Sequence, residues 1–453
     1  MKLSARWCFC CLGVFGMLAG AVALGWSAPV SAFCVITAGA ICLWITDALP
    51  GTLVAMVLPV LYILFGAGTP AQVLSPWTTS MCWLVLGGVI ISRMMEKSGV
   101  SRRVALWALR TSGASLRRLF WGITLAGFLI APFVPTAMGK AALFVVILGG
   151  ICTALGFRAG SREASCIFLC GLLVLACPKF LFFTSSVDSA LLVSTAKRFG
   201  MELSWLQYFR ANALPGLVYT VLCVLLLMLF APRDTPELKG YVEEEYRKLG
   251  PLGPQEKKAF FLLGLVALCM VTDSWHGTDI GWLMMLFAGL CFFPGVELLD
   301  GGDIPRLPLG IVFFIAGCMS IGAAAHGVGL DALIAAQVRE AFAEGVGFGT
   351  LLGAFLAGIC MSLGFTTLPA ISTMGPALTA AGLEAGPSGA ALIYAFLYGL
   401  DQFLLPYVFA PALYFYASGY IRLGHYLGFQ SLKLFLAIVF LLVVAIPWWS
   451  WIL

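Results

Sequence analysis

Charge is scarce in this chain. Of its 453 residues only 10% are Asp, Glu, Lys or Arg while 61% are apolar, against about 25% charged in soluble domains. So few charges cannot cover a core of that size. Soluble enzymes and nucleic-acid-binding proteins are excluded, and an integral membrane protein remains. Histidine is scarcer still, at three residues, His276, His326 and His425. Neither a zinc centre nor a histidine-based catalytic set has its ligands, and no Ser/His/Asp, paired-carboxylate or phosphate-loop constellation is present. The 15 cysteines do not offset this. Cys34, Cys42, Cys82, Cys152, Cys223, Cys269 and Cys291 stand singly in apolar runs as small hydrophobes, and the cluster Cys8, Cys10, Cys11 lacks a second ligand cluster. The expectation is no cofactor and no enzymatic role. An intramembrane enzyme or a transporter-like sensor is the alternative from another class.

What the sequence does hold is a series of apolar runs of spanning length, near 7–26, 30–47, 51–66, 80–95, 213–231, 259–274, 280–297, 309–326 and 429–451. Met1 to Trp26 combines the basic and apolar parts of a signal peptide, with Ser31-Ala32 as a cleavage candidate. So many later spans favour a retained first helix. Four further stretches are irregular. Residues 119–157 and 346–384 are interrupted by Pro135-Thr136 and by Thr366-Thr367-Leu368-Pro369, while 164–195 and 387–420 are interrupted at Thr184 to Asp188 and at Pro406 to Pro411. Broken helices at membrane depth occur where they line a cavity or pack inside protein.

Placing the N-terminus in the cytoplasm and counting spans in order puts 20 of the 26 basic residues inside, Lys433 among them, and leaves Lys140 and Lys179 at membrane depth. The count requires 119–157 to leave and return on the cytoplasmic side. The stretch 346–384, flanked by Glu340, Glu344 and Glu384, then enters from the opposite face. At a common offset of 230 residues Gly51 matches Gly281, Gly87 matches Gly317, Gly99 matches Gly329 and Thr136 matches Thr366. The predicted fold is an all-α polytopic membrane protein with two inverted-topology repeats, two re-entrant hairpins and broken helices. Its expected divisions are an N-terminal helix (1–29), repeat 1 (30–212), a helix and charged linker (213–259), repeat 2 (260–428) and a C-terminal helix (429–453). Inverted repeats whose discontinuous helices meet at the midplane are the architecture of secondary transporters.

Each hairpin would aim a half-helix N-terminus, with unpaired N–H groups, at a shared cavity, which favours an anion. Thr136, Thr366 and Thr367 add hydroxyl donors at the tips, although Thr and Pro at such positions can also simply cap or kink packed helices. Lys140, just past the first tip, either faces the anion as a counter-charge or snorkels to the headgroups. Asp188 either pairs with Lys140 or Lys179 or carries a proton. Asp401 and Gln402 belong to the same polar cavity or are helix-end residues. Trp448, Trp449 and Trp451 read as an interfacial anchor.

Asp47-Ala-Leu-Pro50, WLVLGGVIISRMMEKSGVSRRVALW from Trp83, Trp275-His276-Gly277, LGIVFFIAGCMSIGAAAHGVGL from Leu309 and ASGYIRLGHYL from Ala417 together resemble the divalent anion/sodium symporter family, over nearly the whole chain. The resemblance implies a carrier of dicarboxylates, citrate or sulfate. It also implies a homodimer in the inner or plasma membrane whose hairpin-bearing domain moves as an elevator. Family tips carry Ser-Asn-Thr, contacting substrate and sodium. The matching positions here are Thr136, Ala137 and Met138 in the first hairpin and Thr366, Thr367 and Leu368 in the second, without the asparagines, and Pro135 and Pro369 beside them are further candidate substrate contacts. The family segment that follows corresponds to Thr184, Ser185 and Asp188, and more loosely to Val408 through Pro411 and Ala412. With those asparagines gone and Lys140 near the tip, the ammonium could supply the charge a metal ion otherwise brings. This predicts a sodium-independent exchanger or proton-coupled carrier of a di- or tricarboxylate. The alternatives are sodium held near Thr136 and Thr366 through backbone carbonyls, and sodium-coupled sulfate or other inorganic-anion symport.

Overall fold

The computed structural model describes residues 11, 13–20, 25–46, 48–112, 115–201, 203–232, 239–329, 346–364, 367–384 and 386–453. Thr366, Glu340, Glu344, Asp47 and the first ten residues lie outside these. Among the described residues every regular element is helical. The chain is an all-α, multi-pass membrane protein, with six helices long and apolar enough to cross a bilayer and five shorter apolar ones.

In chain order the main helices are α1 (Ala28–Thr46), α2 (Gly51–Leu64), α3 (Ser80–Lys97), α4 (Val100–Ser112), α5 (Leu116–Ile130), α6 (Ala137–Ala154), α7 (Arg162–Ala176), α8 (Val187–Arg198) and α9 (Trp205–Phe230). They continue as α10 (Lys239–Lys248), α11 (Pro254–Val271), α12 (Ile280–Leu290), α13 (Gly310–Gly327), α14 (Phe348–Gly364), α15 (Thr367–Glu384), α16 (Ala390–Leu400), α17 (Ala410–Ala417) and α18 (Leu423–Phe440). Polar caps start several of them where the sequence leaves an apolar run. Ser115, Ser161 and Asp279 each accept a first-turn N–H, and Ser204 and Gln207 form a reciprocal box at the head of α9.

The repeat seen in the sequence reappears as matched elements. α3 and α13 share the offset of 230 residues at both ends, and so do α6 and α15. Packing is reciprocal: α2 lies on α13 and α12 on α3, α8 lies on α15 and α17 on α6. The matched glycines are where the backbones touch. A Cβ added to Gly87 would lie 2.7 Å from the Met284 carbonyl carbon, and one on Gly317 would lie 2.1 Å from the Ala55 carbonyl oxygen. A side chain at either position would hold the helices apart. Ion pairs add a second link between the halves: Asp303 takes Arg93 at 3.1 Å and Lys97 at 2.5 Å, and Lys197 meets Asp279 at 2.6 Å.

Candidate functional site

The first interruption is a hairpin tip. α5 ends in the 3₁₀ turn Ala131–Phe133, which carries Pro132, and the chain runs extended through Thr136 before α6 begins at Ala137. Thr136 gives α6 no side-chain cap; Thr136 and Ala137 are half-buried, and Met138 and Gly139 are exposed. Among the described residues the N–H groups of Ala137, Met138 and Gly139 have no backbone acceptor. They form the donor set that a helix N-terminus offers an anion. Gly139 keeps that set open, because a Cβ there would sit 2.8 Å from Thr136 Oγ1 and 3.4 Å from Ser92 Oγ. Pro135 seats the tip against α3 in a notch left by Gly88, whose Cβ would strike the Pro135 ring. Ser92 was not expected from the sequence, where nothing but its place on the helix flanking the tip could have marked it.

Lys140 is buried, at 1% exposure, and does not snorkel. Its Nζ donates to the Ser185 carbonyl at 2.5 Å, inside the second interruption. Among the described residues no carboxylate forms an ion pair with it. The turn that ends the first hairpin arm lies against the turn Phe183–Ser185, so the tip and the first break form one locus. Ala370, at the register of Lys140 in the other half, carries no charge, and only the first hairpin brings a cation.

The first break unwinds α7 through Cys177–Phe180, where Pro178 lacks an N–H, and through Phe183–Ser185, before α8 starts at Val187. Its carbonyls are met by side chains. Tyr208 donates to Lys179 O at 2.7 Å, and Ser189 Oγ donates to Phe183 O and Ser186 O at 2.9 and 3.0 Å. Thr184 Oγ1 accepts from the Trp205 indole at 3.4 Å, which ties it to packing. Ser185 Oγ is buried and has no partner among the described residues. Asp188 accepts from Ser186 Oγ and from Ser189 N, and takes Lys179 Nζ at 2.8 Å. Of the two lysines open to Asp188 in the sequence, the fold selects Lys179.

The second break follows α16. Asp401 caps that helix at 0% exposure, Gln402 bonds Tyr398 O and Tyr219, and the chain stays irregular until α17. Asp401 Oδ1 lies 3.1 Å from Lys179 Nζ, and Oδ2 lies 2.9 Å from Lys433 Nζ, which also donates to Asp401 O at 2.8 Å. Lys433 therefore requires a correction. The span count placed it among cytoplasmic loop charges, but it lies within α18 and is buried against the second break. Asp188, Lys179, Asp401 and Lys433 form a continuous buried chain of alternating charge joining both breaks. Phe403 presents its ring to both ammonium groups, at 5.4 and 5.9 Å. Pro411 and Ala412 stand in the first turn of α17 and are buried there.

Thr367, Leu368 and Pro369 form the first turn of α15, with Thr367 at 8% exposure. α15 packs on α8, whose first turn holds Asp188, and a Cβ on Gly375 of α15 would lie 3.5 Å from Thr195 Cγ2 and 3.6 Å from Leu192 Cδ1. A cavity of about 110 Å³ lies on another face of α15, beside Thr37, Ser372, Thr373 and Pro376. Its walls hold hydroxyls and apolar groups but no charge, unlike the first tip. Among the described residues no three His, Cys, Asp or Glu side chains gather as a metal set.

Comparison with known proteins finds relatives among membrane proteins. A dicarboxylate transporter 1 of Arabidopsis thaliana chloroplasts is 24% identical over 407 residues, covering 85% of this chain and 72% of the relative. An L-tartrate/succinate antiporter of Escherichia coli K12 is 23% identical over 414 residues, covering 85% and 81%. A membrane protein of Cupriavidus necator is 26% identical over 247 residues, 53% of this chain, and there the match spans about half of the relative, 48%. The model of the sodium:sulfate symporter transmembrane region matches residues 22–453, and the chain belongs to that family of membrane transporters, the divalent anion/sodium symporters.

Proposed function

We propose that the protein is a secondary carrier that moves a small di- or tricarboxylate across the cell membrane without sodium, by exchange or with protons. The observation that carries this reading is the first tip: open N–H donors at Ala137 to Gly139, the Thr136 hydroxyl, and behind them the Lys140 ammonium with no carboxylate partner among the described residues. Thr136 and Thr367 act as donors to the anion and Lys140 supplies the counter-charge. The names of the two relatives matched over most of the chain, a dicarboxylate transporter and a tartrate/succinate antiporter, favour a carboxylate and exchange.

The reciprocal packing favours repeats of opposite orientation. Treating 119–157 as re-entrant, α2, α3, α7 with α8, α9 and α11 make an odd number of crossings before α12, so the second repeat starts on the other side. The basic residues from Arg93 to Arg118, taken as cytoplasmic, favour a cytoplasmic N-terminus. The unit bearing both hairpins moves as an elevator against a scaffold, in a homodimer. The family description favours a second reading, sodium-coupled symport of sulfate.

The test is uptake of labelled succinate, citrate and sulfate into proteoliposomes, with sodium gradient, proton gradient and internal anion varied separately. Carboxylate uptake that needs internal anion or a proton gradient and ignores sodium is expected. Uptake driven by sodium would replace this reading with the second.

A further inference from the structure

We infer that the Lys179 ammonium is a tethered cation that holds the two breaks together, and that removing it creates a requirement for a small inorganic cation. Its Nζ stands between carboxylates from different halves of the chain, 2.8 Å from Asp188 Oδ2 and 3.1 Å from Asp401 Oδ1. All three groups are at least nine-tenths buried. Without the ammonium, Asp401 keeps Lys433, while among the described residues Asp188 keeps only Ser186 Oγ and the Ser189 N–H. Two anionic oxygens would then face each other across the space the lysine head had filled.

Several features separate this from an ordinary ion pair. Lys179 belongs to the unwound turn itself, directly after Pro178, and its own carbonyl is held by Tyr208 at 2.7 Å. The ammonium is thus delivered by the backbone of one break to the side chain of the other. Phe180 and Phe403 flank it with ring faces at 5.7 and 5.4 Å, so water is largely replaced by apolar walls. Hard oxygen donors in such a pocket suit sodium or potassium once the ammonium is gone. The like-charge pair is otherwise relieved by taking up a proton, so the salts are compared at a pH well above the carboxylate range, where a cation competes best. The inference rests on the transport reading only where exchange is the readout.

The first readout is thermal unfolding of the purified full chain in detergent, in NaCl, KCl or choline chloride at equal ionic strength, without substrate. The wild type should melt at one temperature in all three salts. Lys179→Ala should melt low in choline and rise with NaCl or KCl concentration, as ligand binding to the folded state demands. Lys179→Ala/Asp188→Asn, which removes one of the two oxygens' charge, should lose that response. The second readout is carboxylate exchange in liposomes, expected to be at least about tenfold faster for Lys179→Ala in NaCl than in choline. Equal melting of Lys179→Ala in choline and NaCl overturns the inference, as does a cation response that survives Asp188→Asn. If Lys179→Ala cannot be purified in any salt, Lys179→Met/Asp188→Asn decides. Wild-type exchange by that uncharged pair overturns the inference, and a loss of about tenfold or more supports it. A wild type that moves no anion defeats the transport reading and leaves the melting result standing.

Discussion

Lys179 Nζ lies 3.1 Å from Asp401 Oδ1, joining the unwound segment of one half of the chain to that of the other. Lys433 closes on the far side of Asp401 at 2.9 Å, and Asp188 on the far side of Lys179 at 2.8 Å. Three ammonium groups, counting Lys140, thus face two carboxylates in one buried region. The excess charge belongs to Lys140, whose ammonium donates to the Ser185 carbonyl and pairs with no carboxylate among the described residues. Carrying an uncompensated charge through a bilayer is costly, so an empty carrier of this kind returns poorly. On the exchange reading proposed above, an anion on both legs of the cycle removes that cost.

Removing a matched pair from this chain should cost less than the sum of removing its members one at a time. Asp401→Asn leaves the Lys433 and Lys179 ammonium groups short of a counter-charge, and Lys433→Met leaves Asp401 with one partner. Each should lose about 3 kcal/mol of stability, the usual cost of orphaning a buried charge. The double variant Asp401→Asn/Lys433→Met should fall short of the summed loss by about 1 kcal/mol or more. Denaturant unfolding of the four proteins in detergent measures the difference. Strict additivity would mean that Lys433 and Asp401 do not interact.

Lys140→Gln keeps the length and a hydrogen-bond donor toward Ser185 O but removes the charge. The apparent affinity for a carboxylate should fall about 10- to 100-fold, the range expected for losing a charge-assisted contact of about 1.5–3 kcal/mol. Lys140→Arg should retain part of it. Concentration dependence of exchange in liposomes is the measurement, and an unchanged half-saturation in Lys140→Gln would reduce Lys140 to a brace for the break.

The features legible in the sequence were those the backbone itself imposes. Pro135 and Thr136 mark a tip, Pro406 and Pro411 a break, and the glycines at matched positions a repeat, because each reports on where a helix can start, stop or touch another. Side-chain pairing was less legible. Lys433 is a single charge in the apolar run of α18, and a span count reads such a charge as a loop residue. Its partner Asp401 is remote in sequence, so only the fold shows that the two meet. Lys179 was visible at membrane depth, but nothing local indicated that it would bridge two carboxylates. The role of Ser92 depends on the seating of Pro135 on Gly88, which is purely tertiary.

The matched glycines give a test of the repeat that does not involve charge. Gly317→Ala would drive a methyl group against Ala55 backbone, and Gly87→Ala against Met284 backbone. Neither backbone is the flexible end of a side chain, so helices must shift. Each variant should be destabilised by about 1–3 kcal/mol, as overpacked sites are. Gly264→Ala, with open space around its position, serves as the control and should melt like the wild type.

The clasp at the end of α3 should impose a pH dependence of defined sign. Asp303 is 2% exposed as a side chain and binds Lys97 and Arg93, and its carboxyl is held down to about 2 from an ordinary 3.8, chiefly by the Lys97 hydrogen bond and against the cost of burial. A carboxyl whose folded value is depressed stabilises the fold above its unfolded value and ceases to do so as pH falls through the folded one. Asp303→Asn should therefore melt below the wild type at neutral pH, and the gap should close between about pH 4 and pH 2. Comparing the two proteins at each pH cancels the other carboxylates, which titrate in both. Salt should narrow the gap only in part. Lys97 and Asp300 are exposed and screened, while Asp303 is not. A gap that stayed constant down to pH 2 would show that Asp303 acts through backbone geometry, its contact with the Asp300 N–H, and not through its charge.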